Sequence, residues 1–240
     1  MEESFKEILK EKVNELNLKL DPLQEEKFYL YYKALKEWNR KINLTSLEGE
    51  EEIILKHFVD SLACIIPIKD ENIEKIIDIG TGAGFPGIPL KIYNEKYKLT
   101  LLESQKKKVL FLEEITKILK LSNVEIIWDR AENLGKNPKY RENFDLALAR
   151  GVAKPHVVLE YAIPFVKIGG IFLGQATPNN ITEWENTKRT IEILGGEIEE
   201  KLEVNFDNIT RIFLKIRKKN NTPEKYPRRP GIPEKRPLIM

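Results

Sequence analysis

The chain has 240 residues, a formal net charge of +2, and hydrophobic residues at 41% of its positions. This length and apolar content suit one packed domain with an appendage, and no stretch approaches the roughly 18 uncharged apolar residues that span a bilayer. One cysteine cannot form an internal disulfide, and one cysteine with two histidines cannot build an ordinary structural zinc site. We therefore expect a cytoplasmic protein that needs neither a membrane nor a bound metal.

Residues 1–70 show helical periodicity and predict an N-terminal helical extension. Phe5 and Leu9 recur at the spacing of one helix face, and Asp21-Pro22 has the form of an N-cap followed by proline at the first helical position. A further helix is predicted near residues 50–65, where apolar residues again recur at helical spacing.

Between residues 71 and 219, short apolar runs alternate with helical segments. The runs KIIDIG, KLTLLES, VEIIWD, FDLALARG and GGIFLGQA predict parallel strands with helices on both faces of one sheet. The last two runs, GEIEEKLEVNF and TRIFLKIRK, are joined by a connection too short for a parallel crossover, so they predict an antiparallel hairpin. An α/β fold with such a mostly parallel, seven-stranded, Rossmann-like sheet is the outline of a class I methyltransferase.

The charge of the C-terminal segment differs from that of the rest. Residues 217–240 carry eight Lys or Arg and two Glu, a net charge of +6, which leaves −4 for residues 1–216. The segment 220–240 also has five prolines and few apolar residues. We therefore expect a basic, proline-rich tail that adds little to the core and is suited to holding a polyanion.

A glycine-rich loop, DIGTGAGFPG, runs from Asp78 to Gly87 between the first strand and a helix. Gly82, Gly84 and Gly87 satisfy GxGxxG, the pattern of dinucleotide-binding loops. Gly80, Gly82 and Gly84 equally satisfy DxGxGxG, the pattern of S-adenosylmethionine-binding loops. Both patterns use glycine because the chain turns sharply and a ligand must approach the backbone closely.

Two acidic residues accompany this loop. Asp78 lies two residues before Gly80, as the methyltransferase pattern requires, and Glu103 ends the second strand, where a carboxylate can accept both ribose hydroxyls. A dehydrogenase would also place an acid at Glu103, so that residue does not separate the two patterns. The loop pattern and the closing hairpin together favour S-adenosylmethionine as cofactor. The alternatives are a nicotinamide dinucleotide and a glycine-rich turn without a ligand.

Seven segments add a more specific signal: NLTSL (43–47), KHFVDSL (56–62), DIGTGAGFPGIPL (78–90), LLESQKKKVLFL (101–112), RAENL (130–134), ARGVAK (149–154) and YPRRPGIPEKRPL (226–238). In these segments the chain closely resembles the bacterial small-subunit (16S) ribosomal RNA guanine-N7 methyltransferases, formerly called glucose-inhibited division protein B. The match covers almost the whole chain, and GAGFPGIPL and YPRRPGIP are specific to that family.

The resemblance implies methyl transfer from S-adenosylmethionine to N7 of a specific guanine in 16S ribosomal RNA, by direct in-line attack, leaving S-adenosylhomocysteine. The RNA partner would be small-subunit ribosomal RNA or the assembling 30S particle. The sequence leaves the oligomeric state open, and we take a monomer as the expectation. The tail over residues 220–240 is expected to pack on or near the active-site face.

Candidate site residues follow from the loop pattern and the resemblance together. The candidate cofactor-binding residues are Asp78, Gly80, Gly82, Gly84, Phe85, Glu103, Ser104, Ala131, Glu132 and Arg150. The candidate RNA-binding residues are His57, Lys106, Lys107, Arg228 and Arg229. For His57 the alternative is a partly buried helix histidine, and for Lys106 and Lys107 it is a solvated helix face. Many relatives have Lys where this chain has Gln175, so no role of a cation at that position carries over.

The implied acceptor needs little catalytic machinery. Guanine N7 carries a lone pair and no proton, so no general base is expected and catalysis would depend on orientation. Methylation of pyrimidine carbon 5 usually needs a cysteine nucleophile, but Cys64 lies in an apolar helix run and is assigned to core packing. Methylation of an exocyclic amine usually needs an Asn/Asp-Pro-Pro-aromatic loop after the fourth strand, where this chain has ARGVAKP.

The remaining aromatic and histidine residues are assigned to structure. Trp38, Trp128 and Trp184 occupy apolar positions and are expected in the core, and His156 is expected to be structural. Three other functions remain as alternatives: a non-catalytic RNA-binding module, a methyltransferase for small molecules, and a nicotinamide-dependent oxidoreductase.

Overall fold

The computed structural model describes residues 2–238, which form a seven-stranded sheet with helices on both faces. The order of the strands in the sheet is β3-β2-β1-β4-β5-β7-β6. Strands β1 to β5 are parallel, and β7 pairs antiparallel with both β5 and β6. The strands are β1 (Lys75–Ile79), β2 (Lys98–Glu103), β3 (Val124–Trp128), β4 (Phe144–Ala149), β5 (Val166–Ala176), β6 (Gly196–Phe206) and β7 (Ile209–Lys218).

The predicted fold class is confirmed strand by strand. All five parallel runs and the closing hairpin form where the sequence pattern places them. Strand β4 is buried along its whole length, as expected for a strand covered by helices on both faces, while β3 is partly exposed at the edge of the sheet.

The N-terminal extension is helical, as predicted. Helix α1 (Glu2–Asn14) packs on α2 (Pro22–Asn39), and Asp21 caps α2 in a capping box with Gln24. The next helical stretch changes its winding along the chain. It begins as α3 (Glu50–Ile53), continues as a π-helix (Ile54–Val59), and ends in α4 (Asp60–Leu62) and a 3₁₀ turn (Ala63–Ile68).

The remaining helices connect the strands. They are α5 (Gly87–Tyr93), α6 (Lys106–Ile118), α7 (Ala131–Leu134), α8 (Pro155–Ala162), α9 (Ile181–Glu185), α10 (Lys188–Ile193) and α11 (Ile232–Lys235). The extension, α5 and α6 share one buried apolar cluster, whereas α8 and α10 belong to a second cluster across the sheet. Among the described residues, no helix combines the length and apolarity that a membrane span requires.

The expectation that the tail adds little to the core is wrong. Thr222, Tyr226 and Leu238 are buried, and Tyr226 and Leu238 belong to the same apolar cluster as α8. The side chain of Arg141 donates hydrogen bonds to the backbone carbonyls of Thr222 and Tyr226. Few apolar side chains therefore suffice, because the tail is held mainly through its backbone carbonyls and a few buried anchors.

Candidate active site

A cavity of about 220 Å³ opens at the carboxyl ends of the parallel strands, the edge at which open α/β sheets bind ligands. Its wall is built from the residues that follow β1, β2, β3 and β4, with contributions from α8 and the tail. Five of the candidate cofactor-binding residues line it: Gly80, Glu103, Ser104, Ala131 and Glu132.

The glycine loop follows β1, and its three central glycines have positive φ angles. A side chain on Gly80 would come within 2.7 Å of Val152, and one on Gly84 within 2.4 Å of Ile88. By contrast, a Cβ atom on Gly82, where φ is +62°, would meet only the carbonyl oxygen of Gly80, at 4.0 Å. The loop is therefore packed at Gly80 and Gly84 and open at Gly82.

Asp78 lies beneath the loop rather than in the cavity wall. Its side chain is fully buried, and Oδ2 accepts hydrogen bonds from the hydroxyl of Thr81 at 2.6 Å and from the N–H of Gly87 at 2.8 Å. Burial raises the pKa of Asp78 to about 7. Its other oxygen, Oδ1, is buried without a hydrogen-bond partner among residues 2–238, so this side chain both organises the loop and retains an unused acceptor.

Glu103 joins the end of β2 to the loop. Its carboxylate is only 4% exposed, and it accepts hydrogen bonds from the N–H groups of Gly82 at 2.9 Å and Gln105 at 2.8 Å. These bonds fix both oxygens at the cavity wall. Each carboxylate oxygen has a second lone pair, so the group can accept further hydrogen bonds from a ligand.

The tail reaches this cavity through Gly231 and Glu234. The N–H of Gly231 donates to Oε1 of Glu132 at 2.9 Å, and Glu132 is 2% exposed. Glu234 lines the cavity and accepts a hydrogen bond from the hydroxyl of Tyr161 in α8, at 3.2 Å. Sequence reasoning missed Tyr161 and Glu234 because they lie far along the chain from the glycine loop and carry no local motif.

Sequence reasoning also missed other lining residues. They are Gln105, Lys108, Asp129, Arg130, Gly151 and Val152. Their common signal is position, since Lys108 lies in the first turn of α6 and each of the others lies just beyond the carboxyl end of a strand.

Phe85 and Arg150 lie beside the cavity, in an aromatic and charged cluster. The ring of Phe85 stacks with those of Tyr31 and His57, with centroids 5.2 Å and 4.4 Å away. The guanidinium carbon of Arg150 lies 5.2 Å from the centre of the Phe85 ring. The hydroxyl of Tyr31 donates to the carbonyl of Ala83, so α2 packs directly on the glycine loop.

The cluster fixes the protonation state of His57. Arginine can only donate, so the 3.2 Å contact from Nη2 of Arg150 makes Nδ1 of His57 an acceptor, and Nε2 carries the proton and donates to Oγ1 of Thr45 at 2.7 Å. Burial, with the charge of Arg150, lowers the pKa of His57 to about 3. Arg150 is in turn held by Asp60, whose Oδ2 lies 2.9 Å from Nη1. The π-helical winding places His57 here, as such turns often do at functional positions.

Of the candidate RNA-binding residues, the structure separates the two arginines of the tail. Arg228 is held by Glu160 of α8, which is fully buried, with Nη2 and Oε2 2.6 Å apart. Arg229 is exposed. One of the two guanidiniums therefore neutralises a buried carboxylate, and the other faces solvent.

The lysines of α6 are exposed, and Trp128 lies beside them. Lys106 and Lys107 open the helix, and Nζ of Lys106 lies 5.1 Å from the centre of the Trp128 ring. Trp128 is 56% exposed, so its predicted place in the core is wrong. Trp128 is the last residue of β3, the strand at the edge of the sheet, and outward-facing side chains of an edge strand are not covered by neighbouring elements. Trp184 is buried as predicted, and His156 accepts or donates a hydrogen bond with Thr190, a structural role.

Comparison with known proteins places the chain in a family. A family model described as rRNA small subunit methyltransferase G matches residues 24–210. The chain belongs to this family. It is 84% identical over 239 residues to the ribosomal RNA small subunit methyltransferase G of Dictyoglomus thermophilum, with all of both chains covered. It is 47% identical to the protein of the same name from Acetivibrio thermocellus, over 98% of this chain and 97% of that one.

Solved structures of other proteins share the fold. A protein assigned as an O-methyltransferase in Klebsiella pneumoniae has a TM-score of 0.57 at 14% identity, covering 85% of this chain and 92% of its own. The M. jannaschii TYW2 structure in complex with AdoMet has a TM-score of 0.50 at 21% identity, covering 60% and 69%. These likenesses confirm the class I methyltransferase fold of this family member.

Proposed function

We propose that the protein transfers a methyl group from S-adenosylmethionine to N7 of a guanine in small-subunit ribosomal RNA, by direct in-line attack. Family membership supports ribosomal RNA as the substrate. The observation that carries the choice of N7 is the state of His57, which Arg150 and Thr45 hold neutral where it stacks on Phe85 of the glycine loop.

The cavity fits S-adenosylmethionine in its chemistry. Gly82 leaves room for a ligand over the loop, Glu103 offers acceptors for ribose hydroxyls, and Oδ1 of Asp78 is a buried acceptor without a partner among residues 2–238. Gly80, Ser104, Ala131 and Glu132 would form the wall around the ribose and base. When bound, this cofactor supplies a methyl group that is activated by its attachment to a positively charged sulfur.

The side chains near Phe85 are unsuited to removing a proton from the acceptor. Nδ1 of His57 is occupied by a hydrogen bond from Arg150, and its lowered pKa makes the imidazole a weak base. Cys64 is buried, and burial raises the pKa of its thiol, so it is a poor nucleophile. An acceptor that has a lone pair and no proton, such as guanine N7, matches this arrangement.

The protein would then contribute to catalysis by orienting the acceptor base. The half-buried ring of His57 is held by its stack on the buried ring of Phe85, and Arg150 is fixed by Asp60 and His57. A nucleobase held against the ring of His57 would lose little further freedom on reaching the methyl group. Exposed cations at Lys106, Lys107 and Arg229 are the proposed contacts to RNA phosphates.

Transfer of a radioactive methyl group tests this function against its alternatives. We expect label from S-adenosylmethionine to enter small-subunit ribosomal RNA from cells that lack this modification, and to be absent from RNA that already carries it. RNA binding without transfer would indicate a non-catalytic binder. Affinity for NADH in place of S-adenosylhomocysteine would indicate an oxidoreductase.

A further inference from the structure

The C-terminal half of α2 and the two residues that follow it carry a basic surface that neither the cofactor cavity nor the tail accounts for. Between residues 33 and 41 the chain has four cations and one carboxylate, and the side chains of the cations are all exposed: Lys33, Lys36, Arg40 and Lys41. The carboxylate, Glu37, pairs with Lys41 at 2.8 Å. No ion pair of Lys36 or Arg40 is found within residues 2–238.

Aromatic rings lie beneath three of these lysines. Nζ of Lys33 lies 5.3 Å from the centre of the Tyr29 ring, and Nζ of Lys36 lies 5.6 Å from that of Tyr32. Lys41 lies at the same 5.6 Å from Trp38. An aromatic ring holds an exposed lysine only weakly. The ammonium group can therefore turn to contact a phosphate while the rest of the side chain stays against the ring.

A cleft of about 370 Å³ lies beside this basic surface. It is lined mainly by Leu35, Lys36, Asn39, Arg40, Thr45 and Leu47, with one acid, Glu48, at its exposed side. The apolar side chains give it a floor, the two cations lie along it, and Asn39 holds its loop by accepting from the N–H groups of Leu44 and Thr45. An apolar floor with cations beside it suits a nucleotide, which combines a flat base with a negatively charged phosphate.

The cleft is coupled to the proposed acceptor position through one side chain. Thr45 lines the cleft, and its hydroxyl oxygen is 2.7 Å from Nε2 of His57. His57 stacks on Phe85 of the glycine loop. A nucleotide in the cleft would therefore contact Thr45, which is hydrogen-bonded to the ring against which the acceptor base is proposed to lie.

We propose that this cleft and the basic half of α2 bind the single-stranded RNA that flanks the acceptor guanine, with the cations of Lys36 and Arg40 on its phosphates. This inference rests on the proposed function, since it assigns a place to the nucleotides next to the reacting one. It differs from the contacts proposed at Lys106, Lys107 and Arg229. Those residues belong to α6 and the tail, which contribute Lys108 and Glu234 to the wall of the cofactor cavity and no residue to this cleft.

Charge removal tests the proposal directly. A Lys36→Gln, Arg40→Gln protein should lose two phosphate contacts, so the slope of log affinity against log salt for unmodified small-subunit RNA should become shallower by about 1.4 to 1.8. Affinity at 0.1 M salt should fall by more than about tenfold. The affinity for S-adenosylhomocysteine and the single-turnover rate at saturating RNA should stay within twofold of wild type.

Two further variants separate this effect from general electrostatics. Lys188→Gln with Arg189→Gln removes the same charge from exposed positions of α10, on the opposite face of the sheet, and should leave RNA affinity nearly unchanged. Glu48→Gln removes the acid of the cleft and should strengthen RNA binding by about twofold or more, an effect that loss of structure would not produce.

Three results would overturn the proposal. The first is an unchanged salt slope in the Lys36→Gln, Arg40→Gln protein, and the second is an equal loss in the α10 control. The third is weakened binding to the assembled particle with unchanged binding to naked RNA, which would assign the surface to a protein partner. A wild-type protein that binds RNA and transfers no methyl group would instead count against the proposed function and leave the binding comparison intact.

Discussion

Arg228 of the tail and Glu160 of α8 form an ion pair that joins the tail to the sheet domain, with the carboxylate fully buried and Nη2 2.6 Å from Oε2. The backbone N–H and Nε of Arg228 also donate to the same carboxylate. Because α8 contributes Tyr161 to the cavity wall and the tail contributes Glu234, this pair joins two parts of the wall that are distant in sequence.

Removing the tail is therefore expected to weaken both the fold and the cofactor site. A chain ending at Asn220 loses buried Tyr226, the partner of Glu160, and the N–H that holds Glu132. Arg228→Ala alone leaves a buried carboxylate unpaired, a change that costs about 3–5 kcal/mol of stability. We expect both proteins to melt at lower temperature and to bind S-adenosylhomocysteine more weakly, as measured by thermal denaturation and calorimetry.

Arg229→Ala is the matched control for that prediction. The side chain of Arg229 is exposed, so its loss should leave the melting temperature within about one degree while making the salt slope of RNA binding shallower by about 0.7 to 0.9. A melting temperature of Arg228→Ala equal to that of Arg229→Ala would refute the structural role of the tail.

Gly82→Val should abolish cofactor binding without unfolding the protein. The valine side chain would project into the open space above the loop, which is the proposed position of the ligand. Gly169→Val is the control, because Gly169 also has a positive φ, of +82°, and open space around its Cβ position, but lies at the start of the β5 segment away from the cavity. Each substitution should cost about 1–2 kcal/mol through backbone strain. Calorimetry with S-adenosylhomocysteine should show a loss only for Gly82→Val, and equal affinity in the two variants would contradict the site.

The carboxyl group of Asp78 should make both stability and binding depend on pH. Burial raises its pKa from 3.8 to about 7, so the folded protein holds a proton that the unfolded chain releases. Its contribution to stability is therefore complete below pH about 4 and is lost as the pH rises through about 7. A cationic ligand at this group favours the ionised carboxylate, so binding of S-adenosylmethionine at pH 6.5 should release a proton.

Calorimetry in two buffers of different ionisation enthalpy measures that proton directly. The wild-type protein should show a buffer-dependent binding enthalpy near pH 6.5, and Asp78→Asn, which keeps the shape of the side chain, should not. The same proton release in Asp78→Asn would assign it to another group.

The methyl-transfer step should be nearly independent of pH. The acceptor nitrogen has no proton to lose, and His57 stays neutral because its pKa is lowered to about 3. Single-turnover rates at saturating RNA and cofactor should therefore vary by less than about twofold between pH 6.5 and 8.5. A rate that rises tenfold per pH unit in this range would indicate a general base and a different acceptor atom.

The fold was predictable because its signals are local. Five apolar runs separated by helical patterns, and a connection of two residues between β6 and β7, specify the parallel sheet and its closing hairpin without long-range information. The N-cap at Asp21 was also predictable from the sequence, because the capping side chain and its partner Gln24 are only three residues apart.

The residues of the candidate site were predictable only where they lie at the end of a strand or just after it. Gly80, Glu103 and Ala131 line the cavity because each follows a strand whose carboxyl end points to the same edge. Glu234 could not be placed from the sequence, because its position depends on the ion pair between Arg228 and Glu160, 68 residues apart. The state of His57 was likewise hidden, since it depends on Arg150, 93 residues further along the chain.

The identity of the methylated nucleoside tests the central claim most directly. Small-subunit RNA without the modification is incubated with the wild-type protein and labelled S-adenosylmethionine, digested to nucleosides, and separated against standards. We expect the label in 7-methylguanosine alone, and no label when the acceptor guanine is replaced by 7-deazaguanine, which lacks the nitrogen at position 7. Label in a nucleoside methylated on an exocyclic amine, a ring carbon or a ribose oxygen would contradict direct attack by guanine N7.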